Sequence, residues 1–190
     1  NALVLGALLT CGNMLAQLGL TWTEMGPNDI GGRTRSLLID KMDATSKTIY
    51  AGSVSGGIFK STNSGASWAP INDQAASLIV SSMAQASDGS IYFGTGETFG
   101  GGGDGAGSSG FRGTGLYKLN PSTASITLVK DSATFGNINE VALDNSNNIY
   151  VASDKGLFYS SDGGATFSKE TISGTAAAMD VKISNGGDVY

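Results

Sequence analysis

The residues whose types and spacing could do chemistry are few. Two arginines stand in Gly31-Gly32-Arg33-Thr34-Arg35, a glutamate in Gly94-Thr95-Gly96-Glu97, and Asp104 and Arg112 in or beside a glycine-rich stretch. A guanidinium can clamp an anion with two parallel hydrogen bonds, which makes Arg33 and Arg35 candidate ligand contacts. Glu97, Asp104 and Arg112 are the other candidates, because long loops in compact folds are often functional and Gly100 to Gly103 are flexible enough to wrap a ligand or a cation. The competing reading is a solvated loop, in which Glu97 pairs with Arg112 to close the base, worth at most about 1 kcal/mol if exposed. The stretch has neither the Gly-Lys-Ser/Thr of a phosphate loop nor the spaced acids of a calcium loop.

What the chain lacks narrows the chemistry further. Its 190 residues contain no histidine, which removes the commonest general base and the commonest metal ligand, and with them Ser-His-Asp hydrolysis and zinc chemistry within this stretch. Cys11 is the only cysteine, so no internal disulfide forms. No metal, cofactor or catalytic residue is expected. A formal net charge of −5 offers no basic field for phosphate backbones or anionic membranes, and nucleic acid is not an expected partner.

The elements that must position these side chains are strands. Gly is abundant at 29 residues, Pro scarce at 3, and charged residues make up 14%, a balance that suits a turn-rich all-β protein. From Trp22 onward, β-branched and aromatic runs alternate with turn clusters, and no stretch holds a helical period over eleven residues or more. Tyr50, Tyr92, Tyr150 and Tyr190 mark the same place in successive units, 42, 58 and 40 residues apart, the middle interval stretched by an insertion at 98–113. Each unit opens with an alternating run, in Arg35–Asp40, Val80–Gln85, Asn139–Asp144 and Met179–Ser184. A period of about 40–45 residues carrying four short strands predicts a β-propeller, here about three blades and the start of a fourth in an incomplete ring. Tyr50, Phe59, Trp68, Tyr92, Tyr117, Tyr150, Phe158 and Phe167 are expected as core or inter-blade packing before any sugar-stacking role.

Two turns recur within these units. Ser61, Asn63, Gly65 and Trp68 fit the pattern Ser-x-Asp/Asn-x-Gly-x-x-aromatic, as do Ser160, Asp162, Gly164 and Phe167, 99 residues later. An Asn or Asp that hydrogen-bonds its own backbone, followed by a Gly that accepts positive φ, predicts a structural hairpin turn. The pattern resembles the Asp-box, or bacterial neuraminidase repeat, of sialidases, sortilin-type receptors and xyloglucanase-type glycoside hydrolases. That resemblance implies a propeller from residue 18 to 190 with the boxes on its rim, away from any active site. It serves hydrolases and non-catalytic receptors alike, so it leaves function open.

Within the resemblance, xyloglucanase-type enzymes carry a catalytic Asp in Thr-Asp-Ile-Gly-Gly. The matching segment here is Ser53-Val54-Ser55-Gly56-Gly57, with Val54 at the place of the acid. Sialidases carry an Arg-Ile-Pro motif, and Gly-Gly-Arg33-Thr-Arg35 lacks the Ile-Pro. Gly31-Gly32-Arg33, the 50–57 stretch, and Gly94-Thr95-Gly96-Glu97 with Arg112-Gly113-Thr114-Gly115 resemble secreted multi-blade proteins of Bacteroidetes-type bacteria, many of which use type IX secretion.

The first 17 residues differ from the rest, with an apolar run from Ala2 to Leu9 followed by small and polar residues. They read as a secretory signal remnant, with a lipidated Cys11 or a buried strand as the other readings. No run approaches the roughly 20 apolar residues of a transmembrane helix. The expectation is a secreted or cell-surface bacterial propeller, most of it a longer protein's N-terminal part, binding extracellular glycan or protein without catalysis. The alternatives are the first part of a glycoside hydrolase whose acids lie beyond Tyr190, and a subunit of an extracellular assembly whose open blade edge meets a partner.

Overall fold

The computed structural model describes residues 33–71, 77–97, 110–171 and 177–190, and these build three four-stranded antiparallel sheets. The first contains β1 (Thr34–Ile39), β2 (Ile49–Ser53), β3 (Gly57–Ser61) and β4 (Ala69–Pro70). The second contains β5 (Ser82–Gln85), β6 (Ile91–Gly94), β7 (Gly115–Asn120) and β8 (Ser125–Asp131). A single helical turn, α1 (Ser132–Phe135), leads to the third: β9 (Ile138–Leu143), β10 (Ile149–Ser153), β11 (Gly156–Ser160) and β12 (Ser168–Lys169). Each sheet keeps its strands in chain order, and the first strands β1, β5 and β9 lie against one another. This is the blade order of a β-propeller, with the first strand of each blade innermost.

The 40-residue period is visible atom by atom. Each first hairpin closes through one backbone bond, from Asp40 N to Thr48 O at 2.9 Å, Ala86 N to Ser90 O at 2.8 Å and Asp144 N to Asn148 O at 3.2 Å. Ser184 N repeats it to Asp188 O at 2.9 Å, so the predicted fourth unit is present as a hairpin with one bridge, Ile183 to Val189, rather than a strand from Met179. The other predicted first strands shift by one or two residues at their ends.

Blades stack because alternate residues face opposite neighbours. Leu38, Tyr50 and Ile58 of the first blade meet Met83, Ile91, Phe93, Tyr117 and Leu119 of the second. Tyr92 and Leu116 then meet Val141, Ile149, Val151 and Phe158 of the third. A carbonyl at or just past the end of each second strand accepts the amide leading into the next blade: Ser53 from Val80 at 2.9 Å, Thr95 from Ile138 at 3.0 Å, Ser153 from Ala178 at 2.9 Å.

Of the recurring tyrosines, Tyr50 is fully buried, Tyr92 nearly so and Tyr150 half-buried, while Tyr190 is exposed. Lys60 lies over the Tyr50 ring at 5.6 Å and Lys118 over Tyr92 at 5.3 Å, while Tyr159 takes that place beside Tyr150. Phe135 has no sequence period to announce it. Yet α1 buries it completely, edge-on to Phe158 and Phe167 at 5.2 and 5.0 Å.

Both turn boxes close as their composition demands. Ser61 Oγ donates to Asn63 Oδ1 at 2.9 Å and accepts from Gly65 N at 2.9 Å, while Asn63 Oδ1 accepts from Ser67 N at 2.9 Å. Ser160, Asp162, Gly164 and Thr166 repeat this, with Ser160 Oγ to Asp162 Oδ1 at 2.8 Å and Thr166 Oγ1 to Asp162 Oδ2 at 2.6 Å. Gly65 and Gly164 have φ of 86° and 94°, which explains the glycine at each. Trp68 and Phe167, both half-buried, end the boxes one residue before β4 and β12. The second blade has no box: Asn120 Oδ1 caps a plain turn, accepting from Ser122 N at 3.0 Å.

Candidate functional site

Antiparallel blades in this order have two ends. The turn end holds the first hairpins and the boxes, and the connection end holds the links between second and third strands and between blades. Arg33, Arg35, Glu97 and Arg112 all belong to the connection end, and Asp104 lies outside the described residues.

A bulge sets the arginines. In the β1–β2 ladder Thr34 pairs with Ser53 and Ser36 with Gly52, so Arg35 is the extra residue and is turned off the ladder. Val54 N donates to Arg33 O at 2.9 Å and fixes the backbone just before the strand.

Glu97 is held from the second blade. Thr95, fully buried, is the hub: its Oγ1 donates to Gly115 O at 2.7 Å and accepts from Thr114 N at 2.8 Å and Gly115 N at 2.9 Å. Gly113 N donates to Asn137 Oδ1 at 2.7 Å, and Glu97 N to Phe111 O at 2.9 Å. The paired Gly-Thr-Gly sequences on either side of the insertion are therefore a zip. A Cβ on Gly96 would meet Gly113 backbone at 2.7 Å, which leaves room for nothing larger than hydrogen.

The zip delivers the Glu97 carboxylate to the first blade's arginines. Its side chain is 5% exposed, Arg35 Nη1 lies 3.2 Å from Oε1, and Arg33 Nη2 contacts the same oxygen. The expected closure of the loop base by a Glu97–Arg112 pair is corrected: backbone bonds close it, Arg112 is exposed, and the carboxylate's described partners come from the neighbouring blade. The sequence could not show this, because the bulge re-aims Arg35. Burial and then the charge of Arg33 press the Arg35 pKa down, while Glu140 opposes the shift. A guanidinium stays protonated regardless.

Further around the same end, Lys182 Nζ sits 3.0 Å from Glu140 and 2.8 Å from Asp180. Its hydrogen bond with Asp180 is the main cause that raises the Lys182 pKa and lowers that of Asp180. Asn139 Nδ2 donates to Ala178 O at 2.9 Å, leaving its buried Oδ1 without a partner among the described residues. Phe111 is 47% exposed beside the loop base, an apolar ring at a polar edge that sequence reasoning missed. Its only sequence signal is its place next to Arg112.

Chemically, Glu97, Glu140 and Asp180 each have a cationic partner here. A glycosidase needs one carboxyl group that holds a proton near neutral pH, and the Asp180 carboxyl, bonded by Lys182, is pressed the other way. Val54, which the sequence resemblance sets at the place of the xyloglucanase acid, is buried. Among the described residues no group of three or more acidic, His or Cys side chains could hold a metal ion.

No family model matches this chain, and no curated protein does. Solved structures do. A GH74 enzyme from Niastella koreensis superposes with a TM-score of 0.59 at 24% identity, over 79% of this chain and 24% of that one. The GH74 xyloglucanase from Xanthomonas campestris gives 0.53 and 22%, over 70% and 20%. YCF48, solved with a D1 peptide, gives 0.50 and 12%, over 80% and 44%. The chain spans about a quarter or less of the two GH74 structures and under half of YCF48, and at such identities the likeness shows the propeller fold.

Proposed function

We propose that this chain is part of an extracellular or cell-surface propeller of the Asp-box type that binds glycan or protein at its connection end without turning it over. The observation that carries this is the Glu97 carboxylate, buried and shared by Arg33 and Arg35. Such a carboxylate orders a binding surface and is ill-suited to proton transfer. Beside it lie groups suited to recognition: the half-exposed Arg33 guanidinium and the exposed Phe111 ring. The leader-like residues 1–17 support an extracellular location, and the two Ser-x-Asp/Asn-x-Gly turns support the Asp-box assignment.

A second reading, the first part of a glycoside hydrolase, is favoured by the two GH74 neighbours. Incubating the protein with a panel of plant and bacterial polysaccharides separates the two. Retention on a polysaccharide with no release of reducing ends is expected. Release that disappears in Glu97→Gln or Glu140→Gln would establish catalysis and sink the binding reading.

A further inference from the structure

The opposite, turn end carries a cleft of about 440 Å³ between the first and second blades, lined by Asp40, Lys60, Asp88, Ser90, Asn120 and Ser122 among others. Its origin is a difference between two otherwise matching interfaces. Between the second and third blades, the box turn reaches across, with Tyr92 Oη donating to Gly163 O at 3.4 Å, and the first hairpins meet beside it, Ser87 and Asn147 exchanging bonds of 2.7 and 2.8 Å. Between the first and second blades the facing turn is the short Asn120-Pro121-Ser122 hairpin, which has no box to offer. Tyr50 Oη turns back instead to Asp40 Oδ2 at 3.1 Å, and the space a box fills elsewhere stays open.

The cleft is framed rather than loose. Gln85, 3% exposed, ties its walls by donating to Asp40 Oδ1 at 2.7 Å and Gly89 O at 3.3 Å while accepting from Lys41 N at 2.7 Å. Its volume lies in the range of about 300–1,000 Å³ typical of small-molecule sites. Its lining mixes donors and acceptors. Lys60 brings an ammonium, Asn120 an amide NH2 whose Oδ1 is already used by the turn, Ser122 a hydroxyl, and Asp88 a carboxylate loosely held by Lys118 at 3.7 Å. Two carboxylates disfavour an anionic guest, and so polar a wall disfavours an apolar one. Groups that donate and accept at the same atom, meaning sugar hydroxyls, suit it best.

We infer that this cleft is a second binding site, for a neutral saccharide of one or two units, separate from the connection-end site. The test uses the 190-residue chain with a panel of neutral hexose and pentose oligosaccharides of one to four units, read by saturation-transfer NMR and calorimetry. At least one member is expected to bind. Ser122→Trp, on an exposed turn, fills the cleft and abolishes binding, Asp88→Asn weakens it about tenfold through loss of a charged hydrogen bond, and Arg33→Ala leaves it unchanged. Overturning results are binding by no member, binding that survives Ser122→Trp in a protein folded by circular dichroism, or binding lost in Arg33→Ala or Phe111→Ala. The last outcome would move the ligand to the other end and leave the proposed function standing.

Discussion

Glu97 and Arg35, 62 residues apart and on different blades, meet at 3.2 Å over a bulge that exists in β1 alone of the two strands concerned. The contact couples the start of the 98–109 insertion to the innermost strand of the first blade. Removing the charge of Glu97 leaves two guanidinium groups facing each other, one of them mostly buried. Breaking a buried pair costs about 3–5 kcal/mol, and the partial exposure of Arg33 reduces this, so Glu97→Gln is expected to lose about 2–3 kcal/mol. At this chain length that is a fall in Tm of roughly 4–12 °C. Arg33→Ala, removing the exposed partner, should cost less than about 1 kcal/mol. Urea denaturation of the three proteins measures the order, and a Glu97→Gln variant as stable as the parent would refute it.

Blade spacing supplies the second prediction. Gly94 lies against Ile138 of the next blade, where an added Cβ would come within 2.8 Å of the Ile138 Cβ and 3.0 Å of Ser81 Oγ. Gly52 stands the same way against Val80 of the second blade, its Cβ 3.1 Å from that residue's Cβ. Overpacking of this kind costs about 1–3 kcal/mol, and Gly94→Ala should fall in that range. Ile138→Ala alone should cost about 2–5 kcal/mol by leaving a cavity. The double variant should be less destabilised than the sum, because each change relieves the other. Strict additivity in a double-mutant cycle would mean the two side chains do not compete for one space.

Much of this was legible in the sequence, and the division has a physical cause. The tyrosine period, the first hairpins and both boxes depend on neighbours within about ten residues, so Tyr50, Asn63 and Asp162 announce their roles locally. The insertion was legible too, as a stretched interval. The partner of Glu97 was not, because it depends on blade-to-blade stacking and on one bulged residue. Phe135 was hidden for a related reason: a four-residue helix has no period, and the three-ring cluster with Phe158 and Phe167 forms only in space.

The boxes make a pH prediction that separates them. In the second, hydrogen bonds from Thr166, and then from Ser160, hold the Asp162 pKa far below the ordinary carboxylate value. A group whose folded pKa is depressed contributes stability that is present above its unfolded pKa, about 3.9, and is lost as pH falls below it. Asp43 in the first hairpin, bonded chiefly by Thr45, behaves alike. Asn63 occupies the same place in the first box and does not titrate. Asp162→Asn should therefore flatten the loss of stability between about pH 4 and 2, and adding Asp43→Asn should flatten it further. Thermal melts across that range read the slope. Asn63→Asp should steepen it, and an unchanged slope in all three variants would refute the assignment.

The free face of the first blade makes the last prediction. Leu37 and Ile39 of β1 are 65% and 59% exposed, although the residue that matches Leu37 in the second blade, Met83, is buried against its neighbour, as is Val141 in the third. Among the described residues the same face is thus an interface in the second and third blades and again at Val181 of the fourth unit, and solvent-facing only in the first. Apolar side chains on a sheet face of this kind favour association. The chain is expected to self-associate with rising concentration, and Leu37→Glu with Ile39→Lys should shift it toward monomer by light scattering while leaving its circular dichroism unchanged. A monomer at every concentration for the parent chain would mean that these two side chains drive no assembly, and the third reading of function, a subunit of an extracellular complex joined at this edge, would lose its support.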